Sequence, residues 1–251
     1  MKIGIQVSSI KPLLLTEAQV RKAFSCMAAL GCSVVQLQWI DPSVPAEAIA
    51  DALRENEIRS VSVQDFYELV MQNLSYYTGL NAATGGKWLC VSRIPERCKS
   101  PEGLDRFAEE LHRLQQHLDP LGQKVCLHPV TADFTAVPGM NAVEYLLETL
   151  PDMDICLDLF HLSRNCADMP AFIRRYGKRI CMVHFKDSIG ETLVPAGQGE
   201  VNWEGVVQAC LDAGVPYAFA EQERWNRDPY DCLKEAMEWI DHEIDTSNRI
   251  Y

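Results

Sequence analysis

Four side chains that can bind a metal ion lie near the ends of four successive apolar segments in the second half of the sequence. The segments CLHPV, CLDLFHL, MVHFKD and FAEQE contain His128, Asp158, His184 and Glu221, in that order. Two imidazoles and two carboxylates suit a divalent cation, because the two negative charges neutralise it. Nitrogen and oxygen ligand sets overlap among Mn²⁺, Co²⁺, Zn²⁺ and Mg²⁺, so the residues predict one divalent ion without selecting the metal.

The phase of the four residues predicts that they face the same space. Side chains alternate along a strand, so each polar residue shares a face with the residue two positions earlier, which is Cys126, Cys156, Met182 or Phe219. One histidine in an apolar strand is more often a hydrogen-bonded core residue than a ligand. Four polar residues in one phase on successive strands instead predict a ring just above an apolar core.

The elements that would position this ring repeat at intervals of about 30 residues, the period of a (β/α)8 barrel. Residues 1–251 are therefore predicted to form a single (β/α)8 TIM barrel domain with its site at the C-terminal mouth. A doubly wound open sheet is the structural alternative, but no G-x-G-x-x-G follows the first strand. The predicted strands are 2–8, 33–39, 58–66, 87–94, 124–130, 154–160, 179–187 and 217–223, and the predicted helices include 16–31, 45–56, 67–82 and 100–122.

Composition is typical of an ordinary soluble globular protein, with 47% apolar and 23% charged residues. The net charge of −12 and the absence of a Lys/Arg run argue against a nucleic-acid partner. No apolar run has the length of a membrane span, and the N-terminus predicts a strand rather than a signal peptide, so we expect a cytoplasmic protein without membrane contact. The ten cysteines include no C-x-x-C pair, which predicts buried free thiols.

The sequence resembles the xylose isomerase-like TIM barrel superfamily of sugar phosphate isomerases and epimerases over nearly its whole length. LDLFH is similar to the family's L-D-x-x-H, VHFKD to H-x-K-D, GQGEVNW to a glycine-containing loop, and AEQE to the segment of the final-strand glutamate. The resemblance implies that Asp158, His184 and Glu221 bind the metal. It also implies that His161 lies beside the metal and contacts substrate, and that Glu221 acts as an acid/base while bound to the metal.

One ligand position departs from the family's ketose 3-epimerases, which carry a glutamate at the end of the fifth strand. His128 stands there, and LHPVTADF is closer to relatives with a Y-H-N-H segment. The departure gives His161 more weight as a catalytic acid/base, since its ordinary pKa is near neutral. Asp133 either restores a nearby carboxylate or serves as a loop aspartate.

Five further residues are candidates for substrate binding: Gln38, Gln64, Lys186, Asp187 and Glu223. The amides of Gln38 and Gln64 suit a polyhydroxylated ligand, but they also suit an ordinary barrel rim. Lys186 and Asp187 either contact substrate or pair with each other. Glu223 either binds sugar hydroxyls or is a solvated loop carboxylate.

The function expected from these residues is isomerisation or epimerisation of a keto sugar or polyol by proton abstraction next to a carbonyl. Dehydration of a keto-polyol, as in inosose dehydratases, and cleavage by a 3-keto-glycoside lyase subunit begin with the same step and remain open. A non-catalytic sugar-binding or partner subunit is a further alternative. An abasic-site endonuclease is disfavoured, because the early strands lack the histidines and carboxylates of a multi-zinc cluster. The resemblance also implies a homo-oligomer, which no motif specifies.

Overall fold

Eight parallel strands close into a barrel in the computed structural model, which describes residues 1–248. Each strand pairs with its neighbour in sequence, and the last strand closes the ring against the first. This topology confirms the predicted (β/α)8 barrel. The barrel strands are β1 (Lys2–Gln6), β2 (Val34–Leu37), β3 (Arg59–Phe66), β4 (Trp88–Ser92), β5 (Lys124–His128), β6 (Asp154–Asp158), β7 (Ile180–Phe185) and β8 (Tyr217–Ala220).

Helices between the strands form the outer layer of the barrel. They are α1 (Glu17–Ala29), α2 (Ala46–Glu55), α3 (Tyr67–Gln72), α4 (Leu74–Ala83), α5 (Pro101–Leu118), α6 (Ala142–Thr149), α7 (Leu159–Ser163), α8 (Met169–Tyr176), α9 (Val206–Asp212) and α10 (Pro229–Asn248). Two short antiparallel hairpins also lie outside the barrel sheet, Ala136–Val137 with Met140–Asn141 and Asp187–Ile189 with Thr192–Val194. Among the described residues, no helix is long and apolar enough to cross a membrane.

Local sequence sets the helix ends largely as predicted. The hydroxyls of Thr16 and Ser100 cap α1 and α5 by accepting the backbone N–H three residues on. The single helix expected over 67–82 is instead two helices, because Asn73 has non-helical dihedral angles and ends α3 where α4 begins. Asparagine favours such terminal positions, since its side chain competes for backbone hydrogen bonds.

The barrel interior holds a small apolar cluster that is separate from the larger core between strands and helices. Cys126, Cys156, Met182 and Phe219 all belong to this inner cluster, which confirms the predicted strand phase. Cys90 and Cys181 complete a group of buried free thiols beneath the C-terminal mouth. The first polar layer above this cluster therefore marks the floor of the mouth.

Several strands end earlier than predicted, and the reasons are local. β5 ends at His128 because Pro129 has no backbone N–H to continue the ladder. β6 ends at Asp158, whose Oδ1 accepts the backbone N–H of His161 at 3.0 Å and so caps α7. β8 ends at Ala220, which places Glu221 immediately beyond the last paired residue.

Candidate metal centre and active site

The four predicted ligands converge at the floor of the C-terminal mouth. His128, Asp158 and His184 lie at the ends of β5, β6 and β7, and Glu221 follows β8. All four side chains are buried. His128 Nε2 lies 3.2 Å from His184 Nδ1 and 3.9 Å from Asp158 Oδ2. Glu221 Oε2 is 3.0 Å from the same His184 Nδ1, so the facing atoms of four strands meet in one small space.

Two carboxylate oxygens of this group lack hydrogen-bond partners. Asp158 Oδ2 and Glu221 Oε2 are both buried, and neither accepts a hydrogen bond from any residue among 1–248. Buried charged oxygens are costly unless a cation or a donor satisfies them. The other oxygens are satisfied, since Asp158 Oδ1 caps α7 and Glu221 Oε1 accepts from Ser8 Oγ at 3.2 Å. Only the oxygens that face the imidazoles are therefore open to a cation.

A chain of glutamine amides fixes the ring orientation of His184. Gln36 Oε1 lies 2.5 Å from His184 Nε2 and also accepts from Gln6 Nε2 at 3.0 Å. Gln36 in turn donates to Gln64 Oε1 at 2.9 Å, and Gln64 donates to Gln38 Oε1 at 3.2 Å. Because Gln36 presents an oxygen, His184 donates from Nε2. The Nδ1 lone pair is then directed toward His128, Asp158 and Glu221, as a metal-binding histidine requires.

The pKa values of the two histidines move in opposite directions. Burial and the neighbouring His184 lower the pKa of His128 to about 3, so its imidazole is neutral at physiological pH. Burial also acts to lower the pKa of His184, but the nearby carboxylates of Glu221 and Asp158 outweigh it and raise the pKa above its ordinary value. The two carboxylates therefore favour the charged form of His184, whereas burial disfavours the charged form of His128.

The carboxylates stay ionised despite their burial. Burial acts to raise the pKa of Glu221, but Lys186 and His184 lower it well below its usual range. Burial likewise opposes ionisation of Asp158, but His161 and Lys186 bring its pKa below the ordinary value. A neutral imidazole from His128 and two anionic carboxylates are the forms in which these groups bind divalent metals. The donor set therefore fits the predicted cation.

A cavity of about 880 Å³ opens above this ring. It brings together eight of the ten predicted site residues: Gln38, Gln64, His128, Asp158, His161, Lys186, Glu221 and Glu223. His184 belongs to the ring but is fully buried beneath the cavity. The cavity also contacts Trp39 and Phe66, whose rings pack edge to face with centroids 5.9 Å apart.

His161 lies at the edge of the ring, in α7 just beyond Asp158. Its Nε2 is 3.6 Å from Asp158 Oδ2, and its Nδ1 is 2.8 Å from Thr131 Oγ1. The side chain is partly exposed to the cavity, unlike those of the four ring residues. His161 can therefore meet a ligand while it contacts a carboxylate of the ring.

Lys186 pairs with Glu223 rather than with Asp187. The Lys186 ammonium is buried and lies 2.5 Å from Glu223 Oε2. Burial acts against its charge, but Glu221, Glu223 and Asp158 raise the pKa of Lys186. Burial and the charge of Glu221 raise the pKa of Glu223. The pair is thus a buried cation with a partly exposed carboxylate at the cavity wall.

Asp187 does not reach the cavity, and the expected substrate contact is replaced by a structural role. Its Oδ1 accepts the backbone N–H groups of Ser188 and Val201, and its Oδ2 accepts those of Gly197 and Gly199. The indole N–H of Trp203 also donates to Oδ2, at 3.0 Å. The loop that contains GQGE is therefore folded around this one carboxylate.

Of the two alternatives for Asp133, a nearby catalytic carboxylate or a loop aspartate, the contacts of its side chain support the loop aspartate. It is buried, and its Oδ2 accepts the backbone N–H of Val130 at 2.9 Å. Lys99 Nζ lies 4.0 Å from the other oxygen. Asp133 contacts the cavity but is not among the groups of side chains that could jointly hold a metal in residues 1–248.

Three supporting hydroxyl groups were not singled out in the sequence. Ser8 contacts Glu221, Thr131 contacts His161, and Ser92 Oγ lies 3.1 Å from His128 Nδ1. Ser92 is the last residue of β4 and pairs in register with His128, whereas Ser8 lies two residues beyond β1 in a short 3-10 helix. The sequence signal for Ser8 and Ser92 is a small polar residue at or just beyond the end of an early strand, which is weaker than the signal of a histidine or a carboxylate.

The architecture is that of a (β/α)8 barrel with an imidazole–carboxylate centre at its C-terminal mouth, the face on which such barrels carry their active sites. Residues 16–243 match the family model described as Xylose isomerase-like TIM barrel. The chain belongs to this family.

Solved structures with the same fold include enzymes of several kinds. An L-ribulose 3-epimerase is 14% identical with a TM-score of 0.79, covering 99% of this chain and 96% of its own. A D-allulose 3-epimerase from Methylomonas sp. is 18% identical with a TM-score of 0.74, covering 96% of this chain and 97% of its own. A probable 3-DHS dehydratase from Bacillus anthracis is 17% identical with a TM-score of 0.70, covering 96% of this chain and 99% of its own. A comparison with curated proteins finds no match. At these identities the structural likeness establishes the fold.

Proposed function

We propose that the protein is a divalent-metal-dependent isomerase or epimerase that abstracts a proton next to the carbonyl of a keto sugar or polyol. The observation that carries the proposal is the convergence of His128, Asp158, His184 and Glu221 with two unsatisfied carboxylate oxygens. A bound cation would polarise the substrate carbonyl and stabilise the negative charge that develops on deprotonation. Mn²⁺, Co²⁺, Zn²⁺ and Mg²⁺ are all compatible with these ligands.

Glu221 is the proposed base. Its lowered pKa keeps the carboxylate ionised, and Ser8 holds Oε1 while Oε2 remains free of hydrogen bonds. The C–H bond next to the carbonyl would break, its electron pair would form the enediolate, and the proton would pass to Glu221.

His161 is the proposed second acid/base. Thr131 lies against one ring nitrogen, while the other contacts Asp158 at the cavity. His161 would return a proton to carbon in isomerisation or epimerisation. Lys186 has a raised pKa and stays protonated, so it serves as a hydrogen-bond donor and holds Glu223 near the substrate hydroxyls.

A dehydratase or 3-keto-glycoside lyase is the second candidate, and His128 favours it. The neutral imidazole of His128 cannot act as the second carboxylate of a paired-glutamate mechanism. One carboxylate base with one histidine acid suits elimination, in which Glu221 removes the proton and His161 protonates the departing oxygen.

A small molecule remains the proposed partner rather than a nucleic acid. Six carboxylates line the cavity, at Glu68, Glu96, Asp133, Asp158, Glu221 and Glu223. A phosphodiester backbone would be repelled by this acidic surface. The two groups of potential metal ligands among residues 1–248 share His184, so the donors form one cluster and not a set of separate sites.

The test is solvent deuterium exchange with a panel of keto sugars and inososes. The protein is stripped with chelator, reloaded with Mn²⁺ and incubated in D₂O, and NMR then follows the substrate. We expect deuterium at the carbon next to the carbonyl, with an epimer or isomer as product, and a new unsaturated product if elimination follows. Glu221→Gln should abolish the exchange. Exchange that is absent across the panel, or that is unaffected by chelation, contradicts the proposal and favours a non-catalytic binding subunit.

A further inference from the structure

The cavity carries a positive charge beside the strand end that holds His128, because Arg93 lines the cavity and β4 pairs with β5. The four candidate metal ligands lie at or just beyond the ends of β5–β8, whereas Arg93 follows the end of β4 and stands over Phe66 at the end of β3. We propose that the substrate bears a carboxylate in addition to its reacting carbonyl and that Arg93 binds this carboxylate. The inference rests on the proposed function, and it narrows the substrate to an acidic keto-polyol.

Backbone and side-chain contacts both position Arg93. Its backbone N–H donates to the carbonyl oxygen of His128 at 3.1 Å, which ties it to the strand end that carries a candidate ligand. Its guanidinium carbon lies 4.3 Å from the centroid of the Phe66 ring, and the side chain contacts the cavity. A guanidinium that stacks on an aromatic ring keeps its in-plane N–H donors available for a planar acceptor.

Among the residues that the structure describes, Arg93 has no carboxylate partner, unlike Lys99 and Lys186 in the same cavity. Lys99 lies 2.9 Å from Glu96, and Lys186 lies 2.5 Å from Glu223. Within residues 1–248, the guanidinium of Arg93 forms no ion pair and donates no hydrogen bond, although six carboxylates line the same cavity. A chain with a net charge of −12 thus leaves this particular cation available to a ligand.

The backbone of Arg93 is in a conformation that arginine rarely adopts. Its φ is +69°, in the left-handed region where residues other than glycine are strained. Strained conformations of this kind cluster at ligand-binding sites, where the surrounding structure holds them in place. Arg93 is exposed, so its guanidinium is accessible to a ligand that enters the cavity from solvent.

A carboxylate fits this position better than a phosphate. One guanidinium neutralises one negative charge and matches both oxygens of a carboxylate in a bidentate pair. A phosphate dianion would leave charge uncompensated in a cavity that is also lined by Glu96 and Asp133.

The test compares three ligands on the Mn²⁺-loaded protein by calorimetry. They are a keto-aldonate, the neutral ketose of the same chain length, and the terminal phosphate ester of that ketose. We expect the keto-aldonate to bind at least about tenfold more tightly than the ketose, since hydrogen bonds to a charged group contribute this much or more. Arg93→Met should remove the preference, and Arg93→Lys should retain only part of it because it loses the bidentate geometry.

Arg164→Met provides a matched control. Arg164 also stands over a phenylalanine, with its guanidinium carbon 4.8 Å from the Phe160 centroid, but it does not line the cavity. This variant should keep the wild-type preference, and circular dichroism should show that all variants are folded. Equal binding of keto-aldonate and ketose by the wild type, or an unchanged preference in Arg93→Met, overturns the inference. Tightest binding of the phosphate ester overturns the assignment of a carboxylate.

The outcome is separable from that of the proposed function. If no deuterium exchange occurs but the protein still prefers the keto-aldonate in an Arg93-dependent way, the proposed enzymatic function is refuted and the anion site is retained. If metal-dependent exchange occurs with neutral ketoses but Arg93→Met does not change the relative binding of keto-aldonate and ketose, the anion site is refuted and the proposed enzymatic function is retained.

Discussion

Replacement of Asp158 by asparagine should separate the ligand role of this residue from its structural role. The substitution keeps Oδ1, which caps α7 through a 3.0 Å hydrogen bond from the backbone N–H of His161. It replaces Oδ2, the oxygen without a hydrogen bond that lies 3.9 Å from His128 Nε2. We therefore expect a folded protein that has lost one anionic metal ligand.

The size of the effect follows from mass action. A cation at one hundred times its Kd stabilises the folded state by about 2.7 kcal/mol. For a chain of this length, that corresponds to a rise in Tm of about 5–11 °C. Changes around a metal ligand reduce affinity by about 10–100-fold, and loss of the ligand itself should reach the upper end of this range. At the same Mn²⁺ concentration, the variant should gain only about 0.4 kcal/mol, or roughly 1 °C.

The assay is thermal unfolding of chelated protein with and without Mn²⁺, with affinity checked by calorimetry. Asp133→Asn is the matched control, because it removes a buried cavity carboxylate that lies outside the group of candidate ligands. That variant should retain most of the rise in Tm even if its own stability falls. An Asp158→Asn protein with the full wild-type response, or an equal loss of response in Asp133→Asn, would refute the ligand assignment.

Three further predictions concern the residues around the site. Gln36→Leu should weaken Mn²⁺ binding about 10–100-fold without removing a metal ligand, because it removes the acceptor that orients His184. The control Gln116→Leu, at an exposed position, should leave Mn²⁺ affinity unchanged. Equal Mn²⁺ affinities of the two variants by calorimetry would contradict the orienting role of Gln36. His128→Gln should make the stability of the metal-free protein less dependent on pH. The pKa of His128 is about 3 in the folded protein, against 6.5 in the unfolded chain. The neutral His128 side chain therefore contributes its full stability above pH 6.5, and this contribution is lost as the pH falls. Between about pH 6.5 and pH 5, urea unfolding of the wild type should lose about 1.5 kcal/mol that the variant does not lose. Asp187→Asn should lower the free energy of urea unfolding by about 3 kcal/mol, because the Asp187 carboxylate accepts five hydrogen bonds. The control Asp212→Asn, at an exposed position, should change this free energy by less than about 0.5 kcal/mol. Similar effects of the two substitutions would refute the structural role of Asp187.

The fold and the ring of ligands were predictable because both depend on patterns along single strands. Apolar runs at a regular spacing predict the barrel, and the alternation of side chains places Asp158 above Cys156 without knowledge of any other strand. The burial of the inner cysteines follows from the same rule. These inferences need only the period of each element.

Pairings across the barrel were not predictable in this way. Lys186 lies beside Asp187 in the sequence but pairs with Glu223, because β7 ends at Phe185 and the chain then turns into a hairpin. The role of Asp187 depends on the path of a loop ten to sixteen residues further on. Arg93 gave no signal at all, since neither its left-handed backbone nor the ring of Phe66 beneath it can be read from neighbouring residues.

The chain of glutamine amides has a polarity that extends to the ligand. Because His184 donates to Gln36, each following amide in the sequence Gln36, Gln64, Gln38 presents its oxygen toward His184 and its NH₂ group away from it. The last member, Gln38, therefore has its oxygen engaged by Gln64 and offers hydrogen-bond donors at the cavity wall. The tautomer that allows His184 to bind a metal therefore also fixes the orientation of the Gln38 amide. As a result, this part of the cavity favours a ligand with a hydrogen-bond acceptor there, such as a carbonyl or ether oxygen.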